Sequence, residues 1–113
     1  MKKYNLDLLK EQCGNDKAFF NEMIDIFIRS SFEGIRKMEE IYLTGDLKML
    51  GHYAHKILSP CKLLQAEQIS ILLKEMETKS ENDELSSERA DFLIQKIKTE
   101  ATELMKDLKQ EYL

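Results

Sequence analysis

Apolar residues recur along most of this chain at the three-to-four-residue spacing of amphipathic helices. Between Lys17 and Leu43 the series Phe20, Ile24, Phe27, Ile35, Met38 and Tyr42 marks one face, widened near its start by Phe19, Met23 and Ile26. Ahead of it, Leu6, Leu9 and Cys13 predict a short helix with Asn5 as its cap and Gly14 as its end, and Asp16 caps the long one. Thr44-Gly45-Asp46 reads as a stop and a new start, with glycine at C′ and aspartate at the next N-cap. In the stretch Asp46 to Gln68, Leu47, Leu50, Ala54, Ile57, Cys61 and Leu64 share one side. Lys48, His52, His55, Ser59 and Lys62 line the other, spaced four, three, four and three residues apart. From Ala66, the positions of Ile69, Leu72, Leu73 and Met76 predict a helix to about Thr78. Lys79 to Ser87 has one apolar residue in nine and reads as an exposed loop suited to insertion or cleavage. Ser86 or Ser87 caps a final helix that buries Ala90, Leu93, Ile97, Ala101, Leu104 and Leu108.

These elements predict an all-α fold, an antiparallel four-helix bundle with a short additional N-terminal helix, forming one domain over residues 1–113. Gly34 is a weak point of about 1 kcal/mol relative to alanine. Pro60 lacks the N–H owed to the Lys56 carbonyl, so a kink is expected just after His55. The pattern leaves open whether the chain continues as one bent helix or restarts near Gln65.

Composition narrows the picture. With 113 residues the chain can bury one core without metal or disulfide support, and four glycines, one proline and no tryptophan favour helix. A net charge of −4 with interspersed lysines argues against a nucleic-acid partner. Cys13 and Cys61 lie on apolar stretches without metal-ligand spacing, as reduced core thiols do. Asp7, Lys10 and Glu11 interrupt the N-terminal apolar run, so it is not a signal peptide, and no stretch approaches the roughly 18 apolar residues of a membrane span. The domain is accordingly expected to be cytoplasmic.

The chemistry centres on His55, placed toward water in a mostly cationic stripe. An exposed, neutral imidazole can accept a phosphoryl group on a ring nitrogen, with neighbouring cations stabilising the arriving charge. Metal ligation by His52 and His55 is the weaker reading, because Met49 stands where a bundle site would place a glutamate and both rings face outward. No metal is therefore expected. A hydrolytic triad lacks its strand-turn-helix elbow and Gly-rich loop. A surface histidine with no role is the remaining alternative.

At Tyr53-Ala54-His55-Lys56-Ile57-Leu58 the sequence resembles the histidine-containing phosphotransfer (HPt) family, whose motif begins Ala-His-Lys on the second long helix of a four-helix bundle. Leu6 and Leu9, the Phe19-Phe20 start of the long helix, the Gly45-Asp46 turn and Met76-Glu77 fall where that family would have them, so the resemblance spans almost the whole chain. It implies that His55 receives a phosphoryl group from the aspartate of a response-regulator receiver domain and passes it to another receiver. Such receivers stand alone or belong to a hybrid sensor kinase. The chain departs from the family at Leu58, where many members carry a lysine, at Ser59 and Pro60, and at Gln65, where a glycine often leaves room beside the imidazole. Lys62 is within about 20° of His55 on an ideal helix and is expected to replace the lysine missing at Leu58, with Ser59 and His52 in support. Lys48, Lys56, Leu63 and Gln65 are expected to meet the receiver, Lys56 because it lies about 100° from His55. No cofactor is expected, and any Mg²⁺ belongs to the receiver. Without a nucleotide loop or kinase signature, the domain would relay phosphate without autonomous kinase or ATPase activity. Its exposed working face implies a monomer. The competing reading is a bundle of the same fold that docks a receiver or another signalling protein without being phosphorylated.

Overall fold

A computed structural model describes residues 4–113; positions 1–3, the first of the N-terminal stretch read above, lie outside them. Five helices follow in order: α1 (Asp7–Cys13), α2 (Lys17–Thr44), α3 (Leu47–Leu63), α4 (Glu67–Glu81) and α5 (Ser87–Tyr112). The described residues contain no strand. Helices α2 to α5 form an antiparallel bundle in which α2 packs on α3, α3 on α4, α4 on α5 and α5 back on α2, with α1 laid against α2. Ile24, Met38, Leu50, Ala54, Leu73, Met76, Leu93 and Leu108 are sealed in the core, as the helical spacing predicts.

The caps explain most boundaries. Asp16 accepts from the Phe19 amide at 2.9 Å, Asp46 from Met49 at 3.0 Å, and Ser86 from Arg89 at 3.1 Å, each satisfying an amide that a helix start leaves without an intrahelical partner. Gly45 closes α2 in the left-handed region at φ 79°, and Leu47 follows two residues later as the first residue of α3. At the N-terminus Asn5 Oδ1 accepts from the Asp7 amide at 2.9 Å, and the Asn5 amide donates to the Leu64 carbonyl at 3.0 Å, tying α1 to the end of α3.

One question left open is answered and one expectation is revised. α3 runs through Pro60 to Leu63 before the chain turns at Gln65, φ 51°, and restarts as α4. Proline is tolerated because it sits at an exposed position in the last turn of α3, where little of the helix is left to disrupt. The loop expected from Lys79 is shorter, since α4 continues to Glu81 and Leu85 is buried. Ser80, polar and apparently loop-forming by composition, is instead buried against α3, and its hydroxyl donates to the Leu47 carbonyl at 2.9 Å. Both cysteines are free thiols, and burial pushes that of Cys61 up to about 11.

A second tie fixes α5 against α4. The Arg89 guanidinium donates to both Glu75 oxygens, at 2.5 and 2.8 Å, and lies 4.7 Å from the Phe92 ring centre. These hydrogen bonds, with Lys79 at 3.3 Å, hold the Glu75 carboxyl near 2 instead of 4.5. A depressed carboxyl pKa stabilises the fold above the unfolded value and loses that contribution as pH falls from about 4.5 toward 2. Glu75→Gln is therefore expected to flatten the acid side of the stability profile, read as urea midpoints between pH 6 and pH 3. An unchanged acid slope would show that the pair contributes nothing, as many half-exposed pairs do.

Candidate functional site

The site is built by an unusually close approach of α3 and α4. Gly51 is buried, and a Cβ placed there would stand 2.3 Å from Ser80 Cβ and Oγ, closer than real side chains come. Only a glycine lets the two backbones meet at this level. The Ser80 hydroxyl on the Leu47 carbonyl fastens the contact, and the Lys48 ammonium reaches across to the Ser80 carbonyl at 2.9 Å and to Asp83 at 2.9 Å. Thus the start of α3 is bolted to the end of α4.

One turn along α3 from Gly51 stands His55; one turn back along α4 from Ser80 stands Glu77. Their side chains meet, with His55 Nδ1 2.7 Å from Glu77 Oε1. The imidazole is 72% exposed while the carboxylate is 7% exposed, so a wet ring is held by a buried anchor. A carboxylate accepts, which assigns the Nδ1 position to the proton and leaves the Nε2 lone pair directed at solvent. Glu77 Oε2 has no hydrogen-bond partner, and the Lys74 ammonium approaches it at 3.6 Å.

The other predicted residues divide. His52 and Ser59 are exposed one turn before and after His55, as the stripe requires. Lys62 is exposed two turns on, about 10 Å along the axis by helical rise, in an open cleft with Gln65, Glu67, Ser70 and Ile71. Leu63 borders another open depression with Leu8, Gln12 and Met23, where α1 meets α3. Lys56 is exposed. Lys48 is engaged on the α4 terminus, so its charge is directed at Ser80 and Asp83. Gln65 occupies the α3–α4 turn, just beyond the end of α3. Leu58 is a core residue, 5% exposed. The described residues hold no cluster of three or more His, Cys, Asp or Glu side chains able to bind a metal, and none of their helices is long and apolar enough to cross a membrane.

Sequence reasoning named Glu77 only as a landmark near the end of α4, without a role at the site, and passed over Lys74 and Gly51. A signal for Glu77 was present: it stands four and eight residues after Leu73 and Ile69, an acid on the apolar face of α4.

The bundle of α2 to α5 with α1 laid against it has a counterpart among solved structures. Histidine-containing phosphotransfer protein B of Pseudomonas aeruginosa PAO1 superposes with a TM-score of 0.87 over 97% of this chain and 94% of that one, at 24% identity. The chain has the HPt fold. The phosphorelay intermediate protein rdeA of Dictyostelium discoideum is 27% identical over 107 residues, which is 95% of this chain and 41% of the length of that relative. No protein-family model matches the sequence. Within the HPt fold, Gly51, His55, Glu77 and Ser80 form a single α3–α4 contact, from a close backbone approach at one end to an open ring nitrogen at the other.

Proposed function

We propose that this chain is a phosphorelay intermediate in which His55 carries the phosphoryl group between receiver domains. One observation supports this above the others: a ring exposed on its Nε2 side and oriented through Nδ1 by a buried carboxylate. The similarity to a protein named as a phosphorelay intermediate agrees with it.

In the step so described, the Nε2 lone pair attacks the phosphorus of a receiver's aspartyl phosphate. The N–P bond forms, the acyl P–O bond breaks, and the aspartate carboxylate leaves with the electron pair. The ring proton stays on Nδ1, where Glu77 balances the positive charge of the phosphoimidazole. Attack by a second receiver's aspartate reverses each bond change and returns the lone pair to Nε2. Because the ring is already oriented, little ordering remains to be done at encounter. His52 and Ser59 flank the ring, while Lys62, Lys56, Leu63 and Gln65 belong to the face on which a receiver docks. A small, transient interface suits a carrier that must release each partner. The Mg²⁺ of the reaction is the receiver's, and the carrier works in the cytoplasm as a monomer.

Incubation with a phosphorylated receiver is expected to label the wild-type chain, and His55→Gln to take up no label above background. Equal labelling of the two proteins would remove His55 from the role. Docking of a receiver without labelling would favour the non-phosphorylated module.

A further inference from the structure

A phosphoryl group on Nε2 brings negative charge to a ring whose other nitrogen already faces a buried carboxylate. Glu77 offsets the positive charge of the phosphorylated ring, but its carboxylate also repels the phosphoryl oxygens on the far side. The site therefore needs a cation, and the lysine that would follow His55 by three residues is Leu58, buried in the core.

The other cations near the ring are poorly placed. Lys48 is held by the Ser80 carbonyl and Asp83. Lys62 lies about 10 Å further along the axis, in a cleft shared with Glu67. Lys56 points about 100° away from His55 around the helix. Lys74 differs from all three. It comes from α4, one turn before Glu77, and its ammonium is 3.6 Å from the Glu77 oxygen that accepts no hydrogen bond. The other oxygen of the same carboxylate is on His55. Its side chain is 61% exposed, so its flexible stem is free to move.

We propose that Lys74 is the charge-compensating residue of this phosphotransfer site, supplied by α4 in place of the lysine absent from α3. The assignment rests on His55 being the phosphoacceptor. In the free protein Lys74 neutralises Glu77 Oε2, leaving Oε1 to hold the ring. When the phosphoryl group arrives on Nε2, the ammonium offsets the added negative charge, and Glu77 no longer opposes it.

Transfer from a phosphorylated receiver, measured in single turnover, separates this role from the alternatives. Lys74→Met is expected to slow phosphorylation of His55 about tenfold, and Lys74→Arg to stay within about threefold of wild type. Lys62→Ala should slow transfer less than Lys74→Met does. Adding Glu77→Gln to Lys74→Met removes the anion but keeps an acceptor for Nδ1–H, and should restore most of the lost rate, which a merely structural lysine would not predict. A Lys74→Met rate equal to wild type, no recovery in the double variant, or a larger loss in Lys62→Ala would each overturn the assignment. A wild-type chain that takes no label from any receiver would instead overturn the phosphotransfer reading beneath it.

Discussion

Gly51→Val is expected to lower the stability of the domain by about 3 kcal/mol and to uncouple His55 from Glu77. A Cβ at this position falls 2.3 Å from Ser80 Cβ and Oγ and 3.6 Å from the Met76 carbonyl oxygen. Ser80 cannot turn its Cβ away, so relief requires α3 and α4 to separate by about 1 Å, and overpacking of this kind costs about 1–3 kcal/mol before the two γ-methyls of valine are added. Separation would also stretch the Ser80–Leu47 and Lys48–Ser80 hydrogen bonds and the 2.7 Å His55–Glu77 contact one turn away. The useful control is Gly34→Ala in α2. There a Cβ meets only Tyr53 Oη at 3.8 Å and Ile57 Cγ2 at 4.0 Å, both ordinary contacts, so the gain of about 1 kcal/mol in helix propensity should appear undiminished. Urea midpoints should move in opposite directions for the two glycines. Gly51→Ala/Ser80→Gly, which returns the lost space from the opposite helix, should recover part of the stability. A Gly51→Ala variant as stable as Gly34→Ala would show that the close approach is not a constraint.

The contrast between those glycines also marks what could be read from the chain. Helix number, order and most ends follow from spacing and caps, because the residues that decide them are neighbours in sequence: Asp16 and Phe19, Asp46 and Met49, Ser86 and Arg89. The exposed setting of His55 follows for the same reason, since His55 and the stripe around it lie on one helix. What spacing does not supply is the partner across a helix pair. Gly51 and Ser80 are 29 residues apart and His55 and Glu77 are 22 apart, and neither pair is set by the period of its own helix. Lys48 illustrates the consequence. On the wheel it belongs to the cationic stripe, yet in the fold it turns to the carbonyls ending α4, where a cation is favoured by the unsatisfied C=O groups. The buried Leu85 and the extension of α4 to Glu81 have the same origin, because a polar segment is ordered by contacts with α3 that composition does not encode.

Glu77→Leu is expected to separate stability from transfer. The wild-type carboxylate is buried, one oxygen accepts no hydrogen bond, and its ion pair with Lys74 is long at 3.6 Å. Desolvating a carboxylate costs several kcal/mol, and replacing an incompletely satisfied buried charge by an apolar side chain of similar size is often neutral or stabilising by 1–4 kcal/mol. The leucine variant should therefore melt at or above the wild-type temperature. Phosphoryl uptake at His55 should nevertheless fall by about 10²-fold, because the ring loses the acceptor that selects its Nδ1–H tautomer and its orientation, and small misplacements of a reacting group carry losses of that size. Glu77→Gln, which keeps an acceptor for Nδ1–H without the charge, should transfer close to the wild-type rate. Thermal unfolding and single-turnover labelling on the same samples decide the matter. A leucine variant that is markedly less stable would make Glu77 a structural residue, and one that transfers at the wild-type rate would mean that the ring needs no anchor. A residue that weakens the fold yet is required to aim the nucleophile is expected where an active geometry depends on a strained or desolvated group.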